Sequence, residues 1–327
     1  MNGAPFPWQM SQWQRLRQAR AAGRLPHALL ITGPSGLGKE AFALALARSL
    51  LCHAPDPDGR ACGHCRSCRF LAADTHPDLR RLEPEEEGKP IKVDAVRELS
   101  AWSVLTPQEG ALRATVISPA DAMNPAAANG LLKTLEEPVK GNHLLLVSSR
   151  PAAMPATVRS RCQKVLLTLP DPEQAVDWLE NQRSGGAWEK LLRLARGAPL
   201  AALQLAGTDA LAQRDACFTG FQALCAGAAD AADVASAWME GPTEQIIDWF
   251  ASWLGDIARL RLGGEPGQLE NPDLVAALQQ LGAKVDLAPL MKIQERAPAV
   301  ALAGQRDNLN RQMQVEDLLL EFMEALK

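Results

Sequence analysis

Two groups of residues in this sequence have the types and spacing for chemistry. The first is Gly33-Pro34-Ser35-Gly36-Leu37-Gly38-Lys39-Glu40. Gly33, Gly36 and Gly38 free the backbone to turn its N–H groups inward around an anion. A helix opening directly behind them adds the positive end of its dipole, and Lys39 reaches toward terminal phosphates. This is the pattern of a phosphate loop with one departure. A working loop carries Ser or Thr at its eighth position, where the hydroxyl holds Mg²⁺. Glu40 stands there instead and brings negative charge to a polyphosphate site. The second group is Cys52, Cys62, Cys65 and Cys68. Four soft thiolates within one short excursion suit a tetrahedral, closed, structural Zn²⁺ site, with Gly63 making the tight turn between ligands. An iron–sulfur cluster is the main rival, but the bacterial ferredoxin run needs a fourth cysteine before a proline, which is absent. His53 or His64 could replace one thiolate. Cys162, Cys217 and Cys225 are scattered and read as small apolar residues.

Both groups need a scaffold, and the chain is long enough to build one. Its 327 residues suit two to three domains, and 47% hydrophobic with 22% charged residues is the balance of a folded soluble protein. A formal net charge of −4 provides no global field toward nucleic acid. No segment reaches the roughly 18–20 apolar residues of a bilayer span, and no apolar core follows the early arginines. Clustered cysteines in a reducing compartment agree with a cytoplasmic protein that makes no membrane contact. Strands are expected at Ala28–Thr32, Leu79–Leu82, Ala114–Ile117, Leu144–Val147 and Lys164–Leu167. Helices are expected at Glu40–Leu51, Asp94–Trp102 (capped by Asp94) and Ala126–Glu137. The alternation implies βαβ units and a parallel sheet, interrupted by the cysteine excursion and by an acidic loop at Glu83–Pro90. After Leu169 the pattern turns helical, breaking at Gly185-Gly186 and at Gly197-Ala198-Pro199. Ile246, Trp249, Phe250, Trp253, Leu254 and Ile257 form one apolar helical face, and Leu309–Leu326 is amphipathic.

The strand Ala114–Ile117 carries a second departure. In a hydrolase of this type it ends in acidic residues that hold the metal and polarise water. Here it ends in Ser118-Pro119, which can do neither. Asp121 lies too far along to substitute without a change of geometry.

Asn124–Pro138 (NPAAANGLLKTLEEP), Leu144–Pro151 (LLLVSSRP) and Thr157–Gln163 (TVRSRCQ), with Leu25–Lys39 (LPHALLITGPSGLGK), resemble the AAA+ subunits of bacterial DNA polymerase III clamp loaders. The resemblance covers most of the first 170 residues. It implies an α/β P-loop domain with a RecA-like parallel sheet and a four-cysteine zinc module (1–169, module 52–68). A helical lid (170–207) and an all-helical collar domain for oligomerisation (208–327) would follow.

The family's active subunits carry an Asp-Glu pair where Ser118-Pro119 stands and a hydroxyl where Glu40 stands. They also carry a nucleotide-sensing arginine in the lid where Leu200 stands. These three departures resemble the family's stator branch, which does not hydrolyse ATP. Gly33, Gly36, Gly38 and Lys39 then form a degenerate loop that keeps nucleotide binding open without making ATP a working cofactor. What survives is Ser160-Arg161-Cys162. The family's arginine at Arg161 enters a neighbour's nucleotide site and neutralises charge on the γ-phosphate; Arg159 and Arg150 are weaker candidates. Ser149 falls at the family's sensor position.

The implied partners are the gamma, tau and delta subunits in a hetero-oligomeric ring, with the sliding clamp and primed DNA reached through that complex. The chain would thus be part of a DNA polymerase holoenzyme. The alternative is an active ATPase that improvises metal ligands from Glu40 or Asp121. A zinc-module nucleic-acid binder is disfavoured by the acidic balance.

Overall fold

The structure is a computed structural model that describes residues 4–86, 88–265, 267, 269–303 and 308–326. The chain divides into two compact units, Met1–Asp171 and Pro172–Lys327.

The first unit opens with α1 (Met10–Ala21), which the sequence pattern does not announce. Its buried side chains are only Trp13 and Leu16, too few to mark an apolar stripe. The chain continues through β1 (Ala28–Thr32), α2 (Lys39–Leu51), α3 (Arg66–Ala72) and β2 (Leu79–Leu82). Next come α4 (Val93–Ser103), β3 (Arg113–Ile117), α5 (Pro125–Glu136), β4 (Asn142–Ser148), the single turn α6 (Ala156–Arg159) and β5 (Gln163–Leu166). The expected β5 is thus shifted by one residue. The helix expected to be capped by Asp94 is capped instead by Lys92, with Asp94 in the first turn, where its carboxylate still meets the positive end of the helix dipole. The acidic loop at Glu83–Pro90 is largely exposed, with residue 87 outside the described residues.

The five strands form one sheet in the order β2-β3-β4-β1-β5, each neighbouring pair parallel. Every residue of β1 and β3 is buried. The near-continuous apolar run of β1 is what a central parallel strand covered on both faces requires, whereas β3 also buries Arg113 and Thr115. The register sets Thr32 beside Ser148 and Leu166, and Ile117 beside Leu146 and Leu82. The strands' carboxyl ends therefore finish together, where an open parallel sheet binds ligands. At the opposite end of β3, Arg113 and Asp78 are both buried and meet at 3.3 Å.

In the second unit, α7 (Pro172–Gln182), α8 (Trp188–Leu194) and α9 (Pro199–Leu205) surround a small core of Ala175, Leu179, Trp188, Leu191, Leu192 and Ala202. The breaks between them fall where the glycines lie. The remaining helices are α10 (Ala210–Cys225), α11 (Ala231–Met239), α12 (Thr243–Arg261), α13 (Val275–Gly282), α14 (Leu287–Ala303) and α15 (Asn308–Ala325). Their core is centred on α12, whose apolar face is the one its spacing marks: Ile246, Trp249, Phe250, Trp253, Leu254 and Ile257 are all buried. Phe221 packs against Phe250, Trp253 and Phe322 at centroid distances of 5.4, 5.8 and 4.9 Å. No helix among the described residues is long and apolar enough to cross a membrane.

Candidate phosphate loop, exposed arginine and metal centre

The loop after β1 has the backbone its glycines foretell. Gly36 and Gly38 lie in the left-handed region at φ 75° and 74°, and Gly38 caps α2. A Cβ on Gly33 would collide with the Leu167 carbonyl oxygen, so no other residue fits there. Lys39 is buried, and its Nζ donates to the Pro34 carbonyl at 2.6 Å. Burial lowers its pKa, partly offset by the charge of Asp121. The loop is also held from below by residues the sequence pattern did not mark. Gln9 is fully buried, and its amide donates to the carbonyls of Leu37 and Gly38 at 2.8 and 3.0 Å, while the Trp8 indole donates to Leu37 at 3.0 Å.

Glu40 does not project idly. One carboxylate oxygen accepts from the Ser118 hydroxyl at 3.0 Å, and the other accepts from Arg81 at 3.0 Å. Arg81 in turn meets Glu83 at 3.1 Å. The two positions where a hydrolase holds magnesium are therefore bonded to each other, and a guanidinium lies beside them. Asp121 is engaged as well, accepting from Ser148 Oγ at 2.6 Å and Arg150 Nε at 3.2 Å. The buried hydroxyl at the end of β4 is thus Ser148 rather than Ser149, which is exposed.

The four cysteines come together as their spacing requires. Their Sγ atoms all lie within 4.8 Å of one another, with Cys52–Cys65 and Cys62–Cys68 at 3.9 Å and Cys52–Cys68 at 3.6 Å. Metal–sulfur bonds of about 2.3 Å in a tetrahedron set sulfurs about 3.8 Å apart, so the donor set fits one ion. The N–H groups of Cys62, Cys65 and Cys68 donate to the sulfurs of Cys52, Cys62 and Cys65 at 3.3 to 3.4 Å, which favours thiolates. Gly63 makes its turn at φ 78°. Both candidate histidines bond elsewhere, His53 at the Glu109 carbonyl and His64 at the Cys62 carbonyl. The module is anchored outside the ligands as well. Ser67 donates to the Leu51 carbonyl at 2.7 Å and bonds His76 at 2.9 Å, and Trp13 of α1 donates to Asp58 at 2.9 Å.

Arg161 lies on the surface just after α6. Its Nη2 meets Glu136 at 2.6 Å and its Nη1 donates to the Thr157 carbonyl at 2.9 Å. Arg159 is exposed and makes no ion pair among the described residues. Cys162 packs against the core beneath, and burial raises its thiol pKa to about 11.

The family model described as DNA polymerase III, delta subunit, matches residues 8–171, and its C-terminal counterpart matches 208–324. The DNA polymerase III subunit delta' of Pseudomonas aeruginosa is 38% identical over 97% of this chain and 97% of its own length. The chain belongs to the delta' subunit family of DNA polymerase III. The Escherichia coli delta' subunit is 33% identical over 98% of this chain and 96% of its own. Among solved structures, a DNA polymerase III gamma subunit-related protein of Thermotoga maritima is similar at 17% identity and a TM-score of 0.46, covering 95% of this chain and 99% of that one.

Leu200 is half-buried on α9. Nearby Arg196 is turned to Asp248 and Glu270 at 3.7 and 3.9 Å. Sequence reasoning missed Arg81 and Gln9. Neither belongs to a local motif, and only the pairing of β2 with β3 brings Arg81 to Glu40.

Proposed function

We propose that this chain is a non-hydrolysing stator of the DNA polymerase III clamp loader. In that role it helps load a sliding clamp onto primed DNA and completes a neighbouring subunit's ATP site with Arg161. One observation carries the first half: Glu40 is bonded to Ser118 and Arg81. A magnesium ion at this loop would have to displace a guanidinium from Glu40. It would then find a serine where a carboxylate must both hold it and polarise water. Delta' family membership supports the assembly role. The gamma/tau and delta subunits are the expected neighbours, in the cytoplasm, through a collar formed by residues 208–327. The P-loop domain, residues 1–169, and the lid, residues 170–207, complete the chain.

Arg161 is the arginine offered to the neighbour. An exposed guanidinium at the end of a one-turn helix is accessible to a phosphate on another chain. A charge placed on a transferring γ-phosphate accelerates hydrolysis by on the order of 10³ or more. The four-cysteine module takes one structural Zn²⁺ through Cys52, Cys62, Cys65 and Cys68. Sulfurs this close leave room for a single ion, whereas a cluster spreads its thiolates around several irons. All four positions are filled by protein, so the ion stiffens the fold and performs no catalysis.

Two turnover measurements test this reading. The chain alone, with and without primed DNA and clamp, is expected to hydrolyse no ATP. In the assembled complex, Arg161→Ala is expected to abolish turnover at one site while leaving assembly intact. ATP turnover by the isolated chain that disappears on Lys39→Ala would show the loop to be a working motor and overturn the stator reading.

A further inference from the structure

Arg161 is not free in the single chain. The two nitrogens that face Glu136 and Thr157 are the terminal pair of the guanidinium, the end of the fork that grips a phosphate with two parallel hydrogen bonds. Both are turned onto acceptors of the same chain. Glu136 closes α5 and Arg161 follows α6, and both helices pack into one core through Leu131, Leu135 and Val158. The contact is therefore built by two anchored elements. A carboxylate is also the closest protein analogue of a phosphate edge, planar and anionic with two acceptor oxygens.

We propose that Glu136 is a positioning residue that parks Arg161, competing for it with the terminal phosphate of a nucleotide on the neighbouring subunit. The proposal rests on the reading of Arg161 as a trans arginine. The strength of the contact suits a reversible hold. The side chains of Arg161 and Glu136 are 37% and 49% exposed, so water and salt screen the pair. Pairs of that kind bias an equilibrium by no more than about five-fold. A triphosphate carries more charge than one carboxylate and draws the arginine away once the neighbour's site is loaded. Until then the fork stays turned inward.

The test uses the assembled complex with primed DNA and clamp, and reads steady-state ATP turnover for the unaltered chain, Glu136→Gln, Glu136→Asp, Arg161→Ala and Glu136→Gln combined with Arg161→Ala. Releasing the arginine is expected to raise kcat/KM about two- to five-fold in Glu136→Gln. Glu136→Asp, which keeps the charge but shortens the reach, is expected to follow it. The gain should vanish in the presence of Arg161→Ala and narrow as salt rises, because salt already loosens the parked pair. A kcat/KM that stays level or falls in Glu136→Gln while Arg161→Ala still lowers turnover overturns the parking and leaves the trans arginine standing. A gain that persists beside Arg161→Ala shows that Glu136 acts by another route and also overturns the proposal. Turnover unaffected by Arg161→Ala removes the trans arginine and the parking together.

Discussion

Replacing Asp78 by Ala tests whether the base of β3 is held by a buried ion pair and whether that pair reaches the metal module. Asp78 and Arg113 are 0% and 1% exposed. The carboxylate accepts from Arg113 Nε at 3.3 Å, from the Gln108 N–H at 2.9 Å and from the Glu109 N–H at 2.7 Å. Removing one partner of a buried pair costs about 3–5 kcal/mol, because the other charge stays buried. The low end applies to this contact. Arg113 keeps its bonds to the carbonyls of Trp102 and Thr106 and lies 4.5 Å over the Trp102 ring. Gln108 and Glu109 are not buried, so water can replace the lost acceptor and the two hydrogen bonds add only about 0.5 kcal/mol each, for a total of about 4 kcal/mol. At about 2.1 cal/mol/K per residue, a first unit of this size loses about 11 °C in Tm. Double replacement by Asp78→Ala and Arg113→Met should recover at least half of that, since an apolar contact leaves no charge in the interior. The effect should also spread. Glu109 bonds His53 through its carbonyl and Arg66 at 2.9 Å through its carboxylate, residues that directly follow Cys52 and Cys65. Hydrogen exchange over β3 and the rate of metal loss to a chelator, both measured in the full chain, provide the assay. A Tm drop below about 3 °C, or a double variant no more stable than Asp78→Ala alone, would refute the reasoning.

Further outcomes follow from the same contacts. Cys68→Ser should lower the bound zinc well below one ion per chain and raise hydrogen exchange across residues 52–72. It should leave β1 and β4 protected, because Trp13, Arg17 and Ser67 anchor the insertion independently of the ligands; full metal retention, or collapse of the whole sheet, would contradict that. Burial lowers the His143 pKa, only partly opposed by its bond to the Pro26 carbonyl, so its imidazole stays neutral in the folded chain below the unfolded value near 6.5. As pH falls through 6.5 the unfolded chain takes up a proton that the folded chain does not, and stability declines toward acid. His143→Gln should flatten the slope of urea stability between pH 7 and 5.5; an unchanged slope removes His143 from the acid response.

Much of this protein was legible in its sequence because the relevant forces are local or periodic. Apolar runs bounded by turns marked the five strands, with one shifted by a residue. Glycines that tolerate left-handed backbone marked the phosphate loop, and cysteine spacing alone specified the four thiols that the fold brings within 4.8 Å of one another. The apolar face of α12 followed from its 3.6-residue period. Helix α1 was not legible, since two buried side chains make no stripe. The Asp94 cap was misplaced, since the helix starts directly after Lys92, whose side chain makes no capping bond, against the usual preference for Asp at that position.

The sequence also marked Glu40 and Ser118 as two departures from the residues expected of a hydrolase. Their bond to one another, closed by Arg81, was decided only by the tertiary structure. The same holds for Gln9 beneath the loop, for Glu136 on Arg161 and for Arg113 against Asp78. Each of these contacts joins residues far apart in the chain. Their distances depend on strand order and register, and no propensity or spacing within one segment encodes those.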